Sequence, residues 1–135
     1  MPAGTGHFEF AAKTMRQAEE GGKSLCFAFI QHGLAPANQY PSQLSQCVEV
    51  LQYTLQTLGK DPSKVILVGD SAGGTLVMSM ISHLLHPHPG VSPVKLATPL
   101  RAAALFSPWI NLEMTGSAVL QNQIQDPVSP EVMRS

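Results

Sequence analysis

The residues with the clearest capacity for chemistry are Gly69-Asp70-Ser71-Ala72-Gly73, which fit the pattern G-x-S-x-G. A serine hydroxyl is a weak nucleophile at neutral pH. A sharp strand-to-helix turn lifts its oxygen above a sheet, and the next amide, at the helix N-terminus, can donate to a developing oxyanion. The flanks suit such a turn. Val65-Ile66-Leu67-Val68 is a short apolar run of strand type, and Leu76, Val77, Met80, Ile81 and Leu84 mark one face of a following helix. Ser71 is the candidate nucleophile and Ala72 the candidate oxyanion donor, with Gly69, Gly73 and Gly74 permitting the bend. Asp70 is expected to point away from the serine and brace the turn.

Two plainer readings compete. The match can arise by chance in a Gly/Ser turn that merely starts a helix. It also invites confusion with the Gly-Asp-Ser-Gly-Gly of chymotrypsin-like proteases, but those are all-β and usually disulfide-bonded, whereas this chain alternates strands with amphipathic helices. A base is harder to find. His83, His86 and His88 follow Ser71 at the far end of its helix, with His83 roughly 18 Å away at about 1.5 Å rise per residue. As a metal cluster they lack an accompanying Asp, Glu or Cys, and His86 and His88 flank Pro87, so a solvated helix end is the reading and no metal or cofactor is expected. His7 belongs to an N-terminus expected to fray.

The elements that must position Ser71 follow from periodicity. Phe8, Ala11, Ala12, Met15 and Ala18 recur at helical spacing, closed by Gly21-Gly22. Leu25 to Ile30 is a continuous apolar run, predicted as a strand buried on both faces. Leu44, Cys47, Val48, Leu51, Leu55 and Leu58 form the stripe of a long helix closed by Gly59. Asp61-Pro62-Ser63 makes a turn before the second strand. His86 to Pro99 holds four prolines and is a loop, and Ala102 to Phe106 is a third strand. Helix and strand in alternation imply an α/β fold, a mostly parallel sheet flanked by helices. Residues 1–135 read as one incomplete domain.

Composition narrows the function classes. At 135 residues, 44% hydrophobic and 13% charged, the chain has an apolar interior. A net charge of −1 and no basic patch with interleaved aromatics exclude nucleic acid as the expected partner. Cys26 in an apolar run and Cys47 on a helical stripe read as small buried hydrophobes. No signal-peptide pattern and no apolar run near the ~20 residues of a membrane span occur, so a cytoplasmic protein with no membrane span is expected.

Gly69-Asp70-Ser71-Ala72-Gly73-Gly74 resembles the GDSAGG elbow of the hormone-sensitive-lipase-like branch of α/β-hydrolases, especially its fungal esterases. Leu34-Ala35-Pro36 with Tyr40-Pro41 is similar to the family's "LAP…YP" segment. Ser107-Pro108-Trp109 matches its "SPW", and Asp126-Pro127-Val128-Ser129-Pro130 its "D-x-x-SP". The resemblance implies a partial α/β-hydrolase fold and hydrolysis of a small-molecule carboxylic ester through an acyl-enzyme on Ser71, in a setting such as fungal secondary metabolism.

There are departures. The family's HGGG, which precedes the first helix and supplies oxyanion amides, is absent; Pro2-Ala3-Gly4-Thr5-Gly6-His7-Phe8 resembles the residues just after it. Gln31-His32-Gly33 replaces a usual "DYR" or "SYG", Ala37 a common Glu, Thr75 a common Asn and Asn111 a common Asp. The resemblance sets a strand between the one leading to His32 and the elbow strand, placing His32 about 9–10 Å away at ~4.8 Å per strand, too far for a base. Asp126 belongs to the earlier segment and no histidine follows it. The triad acid and base are therefore expected downstream of Ser135. Alternatives are a catalytically dead truncated relative or a small-molecule-binding pseudoenzyme. Trp109 and Phe106 are read as core rather than pocket wall. Acyl group, alcohol and oligomeric state are not encoded legibly.

Overall fold

A computed structural model describes residues 4–110 of the chain. In order these form helix α1 (Thr5–Glu20), helix α2 (Ser42–Gln52), strand β1 (Ile66–Asp70), helix α3 (Ala72–Leu85) and strand β2 (Ala102–Phe106). β1 and β2 are parallel, with Ile66 opposite Ala102 and Asp70 opposite Phe106. Parallel neighbours need a long crossover, and α3 with the proline-rich stretch after it supplies one. Among the described residues these two strands make the whole sheet.

The core lies under one face of that sheet. Leu44, Cys47, Val48 and Leu51 from α2 meet Met80 of α3 and Val91 of the following loop, with Val65, Leu67, Leu76 and Leu84 packed around them. Leu44 and Val48 are fully buried, each stabilising the fold by about 1.5–3 kcal/mol. Of the stripe predicted over Leu44–Leu58, Leu44, Cys47, Val48 and Leu51 are buried, Leu55 is half-buried and Leu58 is exposed, because the helix widens into a single π-type turn over Tyr53–Thr57 before Gly59 adopts a left-handed φ of 61°. Asp61 accepts from the amide (2.9 Å) and hydroxyl (2.8 Å) of Ser63, starting the short turn into β1. The Ser63 hydroxyl bond is the leading reason that this carboxyl is held below its ordinary range.

The rest of the molecule departs from the sequence reading. Leu25–Ile30 is not a strand: it pairs with no neighbour among the described residues and is mostly exposed. A continuous apolar run becomes a buried strand only when ladders and layers flank it on both sides. Here its contacts are aromatic, Phe29 on Phe8 of α1 at 4.5 Å and Phe27 near Phe10 at 6.3 Å. Cys26 is consequently exposed, against the expectation of burial, whereas Cys47 is buried. α1 begins earlier than predicted, at Thr5, and of its apolar stripe Ala11 is the buried member; Phe8 and Met15 are exposed. β1, expected to be fully buried, shows Ile66 and Val68 to the same open side.

The three histidines after Ser71 do not make a solvated helix end. His83 is 2% exposed, and both ring nitrogens are engaged. Its Nδ1 accepts the His88 amide (3.0 Å), which leaves the proton on Nε2 to donate to the Ser92 carbonyl (3.1 Å). His83 thus fastens the proline-rich loop onto α3, while His86 is exposed and His88 half-buried.

Candidate active site

Ser71 sits between β1 and α3, outside both, with φ 54° and ψ −120°. A non-glycine residue here costs about 1–3 kcal/mol and persists only where its surroundings hold it. The surroundings are visible. The Ser71 amide donates to the Phe106 carbonyl at the end of β2 (2.9 Å), and the Ser71 carbonyl accepts from the amides of Gly74 (2.9 Å) and Thr75 (3.2 Å). The amide of Ala72, at the first helical position, has no intrahelical acceptor. Ser71 is half-buried, and its side chain makes no cap bond to the helix it precedes.

The glycines act differently from the expectation that they make the bend. The left-handed backbone belongs to Ser71 itself. Gly69 and Gly74 permit close approach instead: a Cβ on Gly69 would run into the Gly73 carbonyl, and one on Gly74 would lie 2.9 Å from Pro108 Cβ. Gly73 faces open space, and a Cβ there would meet nothing within 4 Å. Beyond β2, Ser107 is the second non-glycine residue with positive φ (42°), and the Thr75 hydroxyl donates to the Trp109 carbonyl at 2.7 Å. Phe106, read as core, is exposed and touches Phe10 of α1 edge-on at 5.9 Å; Trp109 is half-buried.

Asp70 is exposed, with Oδ2 3.3 Å from Nε2 of His7. His7, expected at a frayed end, is instead the third residue of α1. Its Nδ1 accepts the Gly4 amide at 3.1 Å, so Nε2 carries the proton toward Asp70. This contact joins α1 to the residue beside Ser71. The sequence signal for it was faint: a histidine at the third position of a helix, where Glu or Gln more often reaches back to the amide before the first turn. With both nitrogens occupied, His7 offers no free acceptor to a serine hydroxyl. His32 points its Nδ1 at the Gly33 carbonyl (3.0 Å). Asp126 and Asn111 lie outside the described residues.

A cleft of about 550 Å³ opens between the extended segment and α2, lined by Phe29, Ile30, Gln46, Glu49 and Tyr53 among others, and no elbow residue borders it. Among the described residues no group of three or more His, Cys, Asp or Glu side chains is placed to hold a metal ion, and no helix is long and apolar enough to cross a membrane.

Comparison with known proteins agrees with this geometry. Residues 6–134 match a family model described as alpha/beta hydrolase fold. A solved esterase of the bacterial hormone-sensitive lipase family superposes with a TM-score of 0.62 at 34% identity, over 77% of this chain and 33% of that one. A hormone-sensitive lipase from a metagenome library gives 0.58 at 26% identity, over 76% and 32%. Steryl acetyl hydrolase 1 of Saccharomyces cerevisiae is 32% identical over 75 residues, 56% of this chain and 16% of the yeast protein. The chain spans about a third of the length of these solved relatives and less of the yeast enzyme. With its parallel β1–β2 pair, its helices and the bend at Ser71 between them, the chain belongs to the alpha/beta hydrolase fold family, as a partial member similar to hormone-sensitive lipases.

Proposed function

We propose that this chain is the central part of a serine carboxylic-ester hydrolase that works through an acyl-enzyme on Ser71. The observation that carries the reading is the strained backbone of Ser71, φ 54°, set between the end of a parallel strand and the first turn of a helix. In the reaction the Ser71 oxygen attacks the ester carbonyl carbon, and the Ala72 amide donates to the oxyanion. The carbon–oxygen bond to the alcohol breaks as the serine proton passes to that leaving oxygen. Water then adds to the acyl-enzyme, releasing the carboxylic acid and restoring the hydroxyl. The proton-carrying histidine and its carboxylate belong to parts of the enzyme outside the described residues, consistent with solved relatives of which this chain covers about a third.

A small acyl group, acetyl in the first instance, is favoured by the yeast relative named as a steryl acetyl hydrolase. A setting such as fungal secondary metabolism is part of this proposal on the likeness of the Gly69–Gly74 elbow to fungal esterases, and the yeast source of this relative agrees with the fungal part alone. Two free cysteines fit a reducing, cytoplasmic compartment. A fluorophosphonate probe tests the proposal on the enzyme in which this chain is joined to the segment that carries the histidine and its carboxylate. Labelling that disappears in Ser71→Ala is the expected result. Folded protein by circular dichroism that takes no label overturns catalysis through Ser71 and favours a binding relative.

A further inference from the structure

We infer that Thr75 is a positioning residue for Ser71, acting by clamping the turn after β2 onto the first turn of α3. The inference rests on the proposed role of Ser71 as nucleophile. It starts from a structural need: a serine at φ 54° relaxes unless the parts around it are over-determined. β1 and the first turn of α3 supply one side of that restraint. The other side is the end of β2, because the Phe106 carbonyl accepts the Ser71 amide at 2.9 Å.

The end of β2 is itself not held by a ladder beyond Phe106. The chain bends there through Ser107, with φ 42°, and doubles back over α3. Two contacts fasten this bend. Pro108 sits against Gly74, at a place where even a methyl group would come within 2.9 Å. The Thr75 hydroxyl, half-buried, donates 2.7 Å to the Trp109 carbonyl, three residues past the Phe106 carbonyl. The Thr75 amide also donates to the Ser71 carbonyl at 3.2 Å. One residue therefore grips both the carbonyl of the strained serine and the turn that leads away from the carbonyl bonded to the serine amide. Without the hydroxyl, the Trp109 carbonyl loses its partner, the bend loosens, and the Phe106 carbonyl is free to drift from the Ser71 amide.

Trp109 is the single tryptophan of the sequence, so its fluorescence reports this bend directly. The experiment compares wild type, Thr75→Val and Thr75→Ser. It reads the rate of Ser71 labelling by a fluorophosphonate in the enzyme that carries the histidine base, and the quenching of Trp109 by acrylamide in the 135-residue chain, with circular dichroism as the folding control. Thr75→Val, which keeps shape and removes the donor, is expected to slow labelling about three- to tenfold and to expose Trp109 to quencher, the size expected for one lost hydrogen bond. Thr75→Ser is expected to restore both. Thr75→Ala replaces the valine variant if that one does not fold. Labelling and quenching at wild-type values in a folded variant without the hydroxyl overturn the clamp. If wild type takes no label, the proposed catalysis fails, and unchanged Trp109 quenching in Thr75→Val then overturns the clamp independently.

Discussion

The two faces of the β1–β2 sheet solve the same problem with opposite success. On one face α2 and α3 bring Leu44, Cys47, Val48, Leu51 and Met80 together with the loop residue Val91, and nothing large in that group sees water. On the other, Ile66 and Val68 of β1 stay exposed, and α1 and the extended stretch at Leu25–Ile30 leave Phe8, Phe10, Leu25, Phe29 and Ile30 exposed as well. Both faces have hydrophobic residues at suitable spacing. They differ in layering, since an apolar stripe is buried only where a second element covers it. The elbow lies at the end of β1, the strand both faces share. It draws its restraints from α3 and β2, and on the open side from the exposed His7–Asp70 contact.

Perturbing each face in turn sharpens this contrast. The largest effect is expected from Leu44→Ala, which removes a fully buried side chain from the closed face and should cost about 2–5 kcal/mol in urea unfolding. His83→Ala comes next, since it strands the Ser92 carbonyl and the His88 amide; about 1–3 kcal/mol is expected, with faster proteolysis in the proline-rich loop. An unchanged cleavage pattern there would remove His83 as the fastener.

The cysteines give a chemical version of the same comparison. Cys26 should react at once with a disulfide reagent, and Cys47 only as the protein unfolds; equal rates would show that the closed face is not closed. Burial also pushes the Cys47 thiol up from 9.0 to about 11. Its neutral form is the one the fold accommodates, so the associated stability is complete below pH 9.0 and is lost as pH rises toward about 11. The unfolding midpoint should fall across that window in wild type and fall less in Cys47→Ala. The smallest effect belongs to the open face. Phe8→Ser should change stability by about 0.5–1.5 kcal/mol, the scale of one aromatic pair, while reducing binding of a hydrophobic dye.

Much of the architecture was legible from pattern alone. The stripe from Leu44 through Leu51, the run at Val65–Val68 and the placement of Ser71 between strand and helix are local facts of spacing, and local spacing is what secondary structure reads. The failures share a cause. Leu25–Ile30 has the composition of a buried strand but lacks hydrogen-bonded neighbours among the described residues, and Cys26 follows it into solvent. His83 looked polar and terminal, yet a loop nine residues further on folds back to satisfy it. His7 and Asp70 are 63 residues apart in sequence and meet in space.

The order of elements and the position of the bend were thus set within short windows of sequence, because strand, turn and helix preferences act over a few residues. Tertiary structure alone decided which apolar face is covered, which histidines are bonded and what holds Ser71 in its left-handed backbone. Each of these depends on groups distant along the chain arriving at one place, and side-chain burial and hydrogen bonding have no value until both partners are there.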